Sequence, residues 1–307
     1  MSWRGATAAA RHRSSRVTPA PRRRLDLDLI RRGLVDTRQA AQEAIDSRRV
    51  LVGGAIALRP SRLVSAHEPL ELLGPGPRFV SRGGTKLDAA LERFGVSVDG
   101  EVVLDVGAST GGFSDCLLSR GARVVIALDV GHGQLDARLV ADPRVVLLER
   151  TNVRHVTAES LAELAGGAQV PVGAVTADLS FISLTTAVPV IAGPVVGHGG
   201  HLVLLVKPQF EVGRVEASRG KGVIRDPALW LDSLRAVASS LESAGAAIMD
   251  AMRSPITGAS GNTEFLVHAV AHAGPASERL EAPSSAACRM LEDAVAAATG
   301  PPPTNAG

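Results

Sequence analysis

The chain has 307 residues, 45% of them hydrophobic and 21% charged, which predicts one large α/β domain accompanied by a small module. Its charge is uneven: residues 1–62 contain 14 arginines and 5 acids, a charge of +9, and the total of +2 leaves −7 for the rest. A basic front on an acidic body indicates contact with a polyanion. Cys116 and Cys288 are isolated, without disulfide-framework or zinc-site spacing, so we predict no metal and a reducing, cytoplasmic location.

The N-terminus and one uncharged segment bear on membrane association. Residues 1–21 are rich in Arg, Ala and Ser and contain no acid, which predicts a disordered basic tail rather than a signal peptide. Residues 179–206 carry no formal charge and are long enough to span a bilayer. Pro189, Pro194 and a Gly/His cluster at 197–201 interrupt this segment, so we expect a buried helix, a turn and a buried strand, and no membrane partner.

A small module is predicted at residues 22–73. Apolar residues at helical spacing indicate a helix at 25–30 that ends at Gly33, and Thr37 can cap a second helix at 38–47. Short β-prone pieces follow at 50–52, 55–58 and 69–73, and a Gly/Pro-rich linker follows at 74–80.

Arginines recur through this module in numbers sufficient to line one surface. No aromatic residue lies among them, so recognition of phosphates or of nucleic-acid shape is favoured over stacking on unpaired bases. The candidate RNA-binding residues are Arg31, Arg32, Arg38, Arg48, Arg49 and Arg59.

The remainder of the chain alternates between helical and strand periodicity. A helix at 85–94 leads to a buried strand at 102–106, and further strands follow as mostly continuous apolar runs. Such runs are typical of parallel strands that helices cover on both faces. We predict a doubly wound, Rossmann-like α/β sheet at 81–272, followed at 273–307 by one helix and a disordered Pro-rich tail.

A glycine loop at 105–113 joins a predicted strand to a predicted helix. Asp129 ends the next strand, 22 residues after Gly107, where an acid binds the ribose hydroxyls of a nucleoside cofactor. A nicotinamide enzyme would use the same geometry and is the natural alternative. Ser109 in place of the middle glycine and the carboxylate of Asp105 favour a ligand with an amino acid end and no phosphates, such as S-adenosylmethionine.

The residues predicted to bind this cofactor lie at the carboxyl ends of the first strands. Asn152, at the end of the third strand, either meets the adenine or forms a turn, and both interpretations stay open. The complete set is Asp105, Gly107, Ser109, Thr110, Gly111, Gly112, Phe113, Asp129, Asn152 and Asp178.

Four charged residues are predicted to converge on one edge of the sheet. Asp178 and Lys207 each end an apolar strand, at the edge where doubly wound sheets bind ligands. An antiparallel last strand would place its first residue, Glu264, at the same edge, together with Lys86 at the start of the helix that feeds the first strand. The chain has three lysines (the third is Lys221) against 30 arginines, and lysine, unlike arginine, can give up its proton. Together the four residues indicate an active site.

Six segments resemble the TlyA family of ribosomal RNA methyltransferases, historically also called hemolysins. The resemblance covers about residues 22–299 and implies an S-four-like RNA-binding domain in front of an FtsJ-like methyltransferase domain. It also implies that a ribose 2′-hydroxyl is methylated by a tetrad on Lys86, Asp178, Lys207 and Glu264. The implied substrates are cytidines in the RNA of the small and large ribosomal subunits. The segments are Val80-Ser-Arg-Gly-Gly-Thr-Lys86, Asp105-Val-Gly-Ala-Ser-Thr-Gly-Gly-Phe113, Leu148-Glu-Arg-Thr-Asn152, Ala177-Asp-Leu-Ser-Phe-Ile-Ser183, Leu205-Val-Lys-Pro-Gln-Phe-Glu211 and Ser260-Gly-Asn-Thr-Glu-Phe265.

Two departures from the family pattern lie in the front half of the chain. The linker reads Pro77-Arg78-Phe79-Val80 where the family usually has Arg-x-Trp-Val, which bears on domain coupling. The module reads Ser47-Arg-Arg-Val50 where a Lys-Gly or Gly-Lys pair is common, which exchanges one basic residue for another.

The atom methylated can be predicted by exclusion. The fourth strand ends without the Pro-Pro-aromatic motif of amino-group methyltransferases, and neither cysteine lies at a strand end, where base-carbon methylation needs one. We therefore predict 2′-O-methylribose as the product. Lys207 is the candidate general base, although it can instead stay charged and stabilise the forming alkoxide. A loop at 211–226 lies beside this edge and can clamp RNA phosphates with Arg214, Arg219, Lys221 and Arg225.

Three other functions are weighed against this one. The family's older name suggests a membrane-acting cytolysin, but the sequence lacks an amphipathic or spanning segment. A nicotinamide-dependent oxidoreductase shares the glycine loop. An RNA-binding protein with an inactive Rossmann domain is opposed by the intact tetrad.

Overall fold

The computed structural model describes residues 22–35, 37–74, 76, 78–213, 222–258, 261–272 and 283–300. The chain forms two compact units, Met1–Gly76 and Pro77–Gly307. Several residues named above lie outside the described residues: the tail at 1–21, Pro75 and Pro77 of the linker, Arg214, Arg219, Lys221, Ser260 and the Pro-rich end at 301–307.

In the first unit, two helices pack on small antiparallel sheets. The Thr37 side chain accepts a hydrogen bond from the amide of Ala40 at 3.1 Å, so the second helix begins at the predicted cap. The core of this unit is formed by Leu25, Leu29, Ile45 and Val50, all at most 1% exposed. The helices are α1 (Leu25–Arg31) and α2 (Arg38–Asp46), and the strands are β1 (Arg23–Arg24), β2 (Val50–Val52), β3 (Ala55–Ile56), β4 (Leu63–Val64) and β5 (Leu70–Leu72).

The second unit contains a sheet of seven strands with helices between them. The strands are β6 (Val102–Val106), β7 (Val124–Leu128), β8 (Val145–Leu148), β9 (Val172–Ala177), β10 (Val196–Val206), β11 (Ala246–Arg253) and β12 (Phe265–Ala271). The α-helices are α3 (Arg82–Phe94), α4 (Gly112–Ser119), α5 (Ala137–Val140), α6 (Ala158–Leu164), α7 (Leu184–Ile191), α8 (Pro208–Glu211), α9 (Pro227–Ser243) and α10 (Ser285–Thr299), and a 3₁₀ turn covers Val153–His155.

The strand order β11-β12-β10-β9-β6-β7-β8 confirms the predicted doubly wound sheet. Strands β6 to β10 pair in parallel, whereas β12 is antiparallel to β10 and to β11. Successive residues of a strand point to opposite faces, and Val103 and Leu104 accordingly belong to two separate apolar clusters. One cluster packs against α3 and α4, and the other against α7, α9 and α10.

The antiparallel last strand confirms the prediction that Glu264 lies at the same edge of the sheet as Lys207. Val206 at the end of β10 pairs with Phe265 at the start of β12. Lys207 follows Val206 and Glu264 precedes Phe265, so both residues lie at the same edge of the sheet.

Element boundaries depart from the predictions in one strand and two helices. Strand β10 begins at Val196, so the Gly/His cluster at 197–201, which the sequence predicts to interrupt the segment, lies within the strand. Helix α3 begins at Arg82 rather than at residue 85, because Ser81 is extended and the two glycines after Arg82 adopt helical geometry. Helix α6 was not predicted: it is held by a capping box in which Thr157 and Ser160 exchange hydrogen bonds. Serine in place of the usual Glu or Gln at that position hides the sequence signal.

Candidate active site

A cleft opens between the glycine loop after β6 and the start of α3. Gly107 has φ +84°, and a Cβ atom there would lie 2.7 Å from the backbone oxygen of Asp178. Only glycine allows this approach, which brings the end of β9 against the loop. The cleft is lined by Ser81, Gly83, Lys86, Gly107, Ala108, Ser109, Thr110, Gly112, Phe113, Asp178, Ser180 and Lys207.

The four predicted catalytic residues meet at this cleft as two ion pairs. Lys86 Nζ lies 2.5 Å from Glu264 Oε2, and Lys207 Nζ lies 2.5 Å from Asp178 Oδ1. The side chains of both lysines are nearly buried, 10% and 11% exposed. Each lysine is therefore held by a carboxylate from a distant part of the chain, as the strand order predicts.

The Lys207–Asp178 pair is a close charge contact without hydrogen-bond geometry. Asp178 Oδ1 is buried and has no hydrogen-bond partner among the described residues. Lys207 Nζ instead donates a hydrogen bond to Ser180 Oγ at 3.0 Å. The Asp178 oxygen thus keeps an unused acceptor site beside the lysine amine.

Two aromatic side chains near Lys207 were not identified from the sequence. The Phe181 ring is 89% exposed, and its φ of +69° is uncommon for a residue with a bulky side chain. Its ring centroid lies 5.5 Å from that of Phe210, whose centroid is 5.9 Å from Lys207 Nζ. A strained, exposed aromatic residue next to reactive groups points to a binding role. The signal in the sequence that could have identified Phe181 is its position three residues after Asp178, the acid that ends the strand.

Asp105 lies beneath the glycine loop and is fully buried, and it is not among the residues that line the cleft. Its carboxylate accepts hydrogen bonds from Ser114 Oγ at 2.6 Å and Thr176 Oγ1 at 3.1 Å. Burial raises the pKa of the carboxyl to about 7, and the two hydroxyl donors oppose that rise only in part. Its predicted contact with the cofactor stays a prediction.

This raised pKa gives a pH dependence of stability that Asp105→Asn should remove. The pKa is higher in the folded chain than in the unfolded chain, where it is about 3.9. Folding therefore takes up a proton between about pH 4 and pH 7, and the free energy of unfolding falls as the pH rises through this window. From pH 4 to pH 8 the natural chain should lose up to about 4 kcal/mol of unfolding free energy that Asp105→Asn keeps. The difference in unfolding free energy between the variant and the natural chain should therefore change by this amount in favour of the variant. Urea unfolding at several pH values measures the difference, and two parallel curves would contradict the expectation.

The other predicted cofactor residues lie on the neighbouring loops. Asp129 Oδ2 accepts from the Ser109 amide at 2.8 Å and Oδ1 from the Gly131 amide at 2.6 Å, so this acid joins two loops. Gly111 is the N-cap of α4. Asn152 Oδ1 accepts from the Arg154 amide at 3.1 Å and caps the 3₁₀ turn, so the structure shows the turn-forming interpretation of this residue.

Four of the six arginines predicted to bind RNA make contacts within the first unit. Arg31 and Arg32 pair with the buried Asp28 at 2.6 and 2.7 Å, and Arg38 approaches the buried Asp26 at 3.3 Å. Arg49 donates to the carbonyls of Leu73 at 2.8 Å and Gly74 at 3.3 Å.

These ion pairs offset the burial of the two acids. Burial alone would raise the pKa of Asp28, but the guanidiniums of Arg31 and Arg32 more than compensate and lower it. Arg48 and Arg59 are exposed and make no ion pair with another described residue. These two guanidiniums are therefore the most available of the six for an external anion.

Two features are absent from the described residues, a membrane-spanning helix and a metal-binding cluster. No described helix is both long enough and apolar enough to cross a membrane. Within the same ranges, no group of three or more His, Cys, Asp or Glu side chains is arranged to hold a metal ion.

Comparisons with known proteins agree with this geometry. The family model described as FtsJ-like methyltransferase matches residues 79–270, and the S4 domain matches residues 23–70. The 16S/23S rRNA (cytidine-2′-O)-methyltransferase TlyA of Mycobacterium tuberculosis is 45% identical over 249 residues, 81% of this chain and 90% of the relative. Hemolysin A of Brachyspira hyodysenteriae is 38% identical over 80% of this chain and 98% of its own length.

A solved structure gives the same result for the fold. A Streptococcus thermophilus protein assigned to the hemolysins superposes with a TM-score of 0.66 at 34% identity, over 89% of this chain and 96% of its own. The nicotinamide alternative is wrong, because the catalytic unit matches methyltransferases along almost its whole length. With an FtsJ-like methyltransferase unit preceded by an S4 domain, and with this identity over most of its length, the chain belongs to the TlyA family of methyltransferases.

Proposed function

We propose that this chain is an S-adenosylmethionine-dependent methyltransferase that acts on the 2′-hydroxyl of cytidine in ribosomal RNA. The observation that carries the proposal is the placement of two Lys–carboxylate pairs on the rim of the glycine-loop cleft. The curated relatives from Mycobacterium tuberculosis and Campylobacter jejuni are named for this reaction.

The residues of the cleft suit S-adenosylmethionine. Gly107 and Gly112 line the cleft without side chains, which leaves room for a ligand. The hydroxyls of Ser81 and Thr110 border the cleft, and the buried Asp178 Oδ1 has an unused acceptor site. We assign the methionine end of the cofactor to the glycine loop and the ribose to Asp129. The bound cofactor supplies a methyl group that its sulfonium makes electrophilic.

The chain's own residues then have to align one hydroxyl and remove its proton. Ser180 Oγ accepts a hydrogen bond from Lys207 Nζ at 3.0 Å, and the Asp178 carboxylate lies 2.5 Å from the same atom without hydrogen-bond geometry. We place the ribose hydroxyl on the side of Nζ that neither residue occupies. Lys207 in its neutral form would accept the proton of the 2′-hydroxyl and so activate the ribose oxygen for the methyl group that the bound cofactor would release from its sulfur. Lys86, neutralised by Glu264, orients the ribose. The exposed ring of Phe181 offers a face on which a base can stack.

Cofactor affinity should depend on Asp129. Replacing Asp129 with Ala removes both acceptors for the ribose hydroxyls and releases the amides of Ser109 and Gly131. Hydrogen bonds to a charged group contribute about 1.5–3 kcal/mol each. We expect the dissociation constant for S-adenosylmethionine, measured by isothermal titration, to rise about 100-fold or more.

The matched control is Asp142→Ala, which removes a loop carboxylate that pairs with Arg144 outside the cleft. This control should bind S-adenosylmethionine as the natural chain does. Equal affinity of the Asp129 variant and the natural chain would show that the cofactor lies elsewhere.

The site of methylation is tested by the chemistry of the product. A 2′-O-methyl group blocks alkaline cleavage of the adjoining phosphodiester. After transfer from methyl-labelled S-adenosylmethionine to ribosomal RNA, alkaline hydrolysis should leave the label in uncleaved dinucleotides. Label recovered only in mononucleotides would disprove the ribose assignment.

The division of labour along the chain is also part of the proposal. We assign RNA binding to an S4 domain at 22–73, a linker to 74–80 and catalysis to a Rossmann-like domain at 81–272, with a C-terminal helix and tail at 273–307. The exposed Arg48 and Arg59 support phosphate contact by the first domain. Ribosomal subunits are the proposed partners.

A further inference from the structure

The carboxylate of Glu264 lies against a turn at residues 254–258 that no catalytic assignment includes. Glu264 is 3% exposed, and its Oε2 contacts Lys86. The turn begins at Ser254, whose amide donates to the Glu264 carbonyl at 2.8 Å. It then passes Gly258, whose amide donates to the Asn262 carbonyl at 2.9 Å. The described residues 254–258 and 261–264 are thus hydrogen-bonded to each other beside the carboxylate.

Gly258 approaches the Glu264 carboxylate so closely that a side chain at position 258 would have to displace it. A Cβ atom on Gly258 would overlap Glu264 Oε1 and lie 2.5 Å from its Cδ. The φ angle of Gly258 is outside the left-handed region, so the backbone there does not require glycine. Space for the carboxylate is therefore the reason for glycine at this position.

The same turn is tied to the other member of the ion pair. Arg82 begins α3 and donates from Nη2 to the carbonyl of Thr257 at 2.9 Å. Lys86 lies four residues further along this helix, on the same face. The turn is thus attached to the helix that carries Lys86 and abuts the carboxylate of Glu264.

We propose that Gly258 is a positioning residue that sets the Glu264 carboxylate against Lys86, with Arg82 anchoring the turn. This inference rests on the proposed methyltransferase function. A methyl group added at position 258 would occupy the place of Glu264 Oε1, so the carboxylate would have to move. The buried lysine would then lose its partner at 2.5 Å.

The primary test is Gly258→Ala in the full chain. We expect its kcat/KM for ribosomal RNA methylation to fall about 100-fold, with S-adenosylmethionine affinity within threefold of the natural chain and a cooperative thermal unfolding transition. Gly197→Ala is the matched control, because Gly197 also has an ordinary φ and its Cβ would meet a backbone oxygen at a comfortable 3.5 Å. More than half of the natural kcat/KM in Gly258→Ala would overturn the proposal.

A double-mutant cycle separates positioning from a general structural effect. Glu264→Ala removes the carboxylate and opens the space that the added methyl group needs. Gly258→Ala should therefore cost less than twofold in the Glu264→Ala background. The same 100-fold loss in both backgrounds would mean that Gly258 acts independently of Glu264, and the inference would be wrong.

Arg82→Gln provides a second variant in case Gly258→Ala does not fold. It removes the tether to Thr257 without adding volume, and we expect a three- to tenfold loss that disappears in the Glu264→Ala background. Equal losses in both backgrounds would again overturn the inference. The single variant Glu264→Ala tests the proposed function itself, since full methyl transfer by that variant would remove Glu264 from the reaction.

Discussion

Lys207→Arg should abolish most methyl transfer while leaving the protein folded and able to bind its cofactor. Arginine keeps the positive charge beside Asp178, which contacts Lys207 at 2.5 Å, so the ion pair can form again. A guanidinium cannot lose its proton in a protein and cannot accept one from the ribose hydroxyl. Loss of a general base lowers the rate by about 10²- to 10⁴-fold, and we expect kcat to fall within that range. Single-turnover methylation of ribosomal RNA measures the effect.

Lys86→Arg is the comparison for this experiment. Lys86 is paired with Glu264 in the same way, but it holds the ribose rather than its proton in the proposed mechanism. Its arginine variant should keep more activity than that of Lys207. A Lys207→Arg enzyme that retains more than a third of its rate would favour the alternative in which Lys207 stays charged and stabilises the alkoxide.

The convergence of the four proposed catalytic residues was predictable because sheet topology determines it. Strand ends in a parallel sheet share one edge, so Asp178 and Lys207 had to be neighbours once their strands were recognised. The position of Glu264 required one further condition, an antiparallel β12, which the pairing of Val206 with Phe265 fulfils. The core strands were equally recognisable, and β6 has the boundaries predicted for the strand at 102–106.

Contacts between residues that are brought together only by the fold could not be predicted from the sequence. Arg31, Arg32 and Arg38 look like part of a basic surface, yet Asp26 and Asp28 are 1% exposed and pair with them. Helical periodicity does not reveal this, because an acid between two leucines reads as a solvent-exposed position. The enclosure of Glu264 by Gly258 is likewise invisible, since the reason for glycine there is space and not conformation.

Removal of the first domain should largely eliminate methylation of ribosomal RNA without affecting the cofactor site. The excess positive charge of the chain lies in residues 1–62, whereas the rest carries −7. Phosphate contacts supply much of the affinity for RNA and weaken steeply with salt. We expect a chain that starts at Arg78 to bind S-adenosylmethionine normally and to lose about 10²- to 10³-fold in kcat/KM for ribosomal RNA near 0.1 M salt.

The salt dependence identifies the contacts responsible. If Arg48 and Arg59 each neutralise a phosphate, the full-length double variant Arg48→Gln, Arg59→Gln should lower the slope of log(kcat/KM) against log[salt] by about 1.5 to 2. Their exposure and lack of ion pairs among the described residues mean that these substitutions should leave thermal stability unchanged. The truncated chain should show the shallowest slope of the three proteins, because it lacks the whole basic surface. Full activity of the truncated chain at matched salt would instead assign RNA docking to the acidic catalytic unit, against the charge distribution of the sequence.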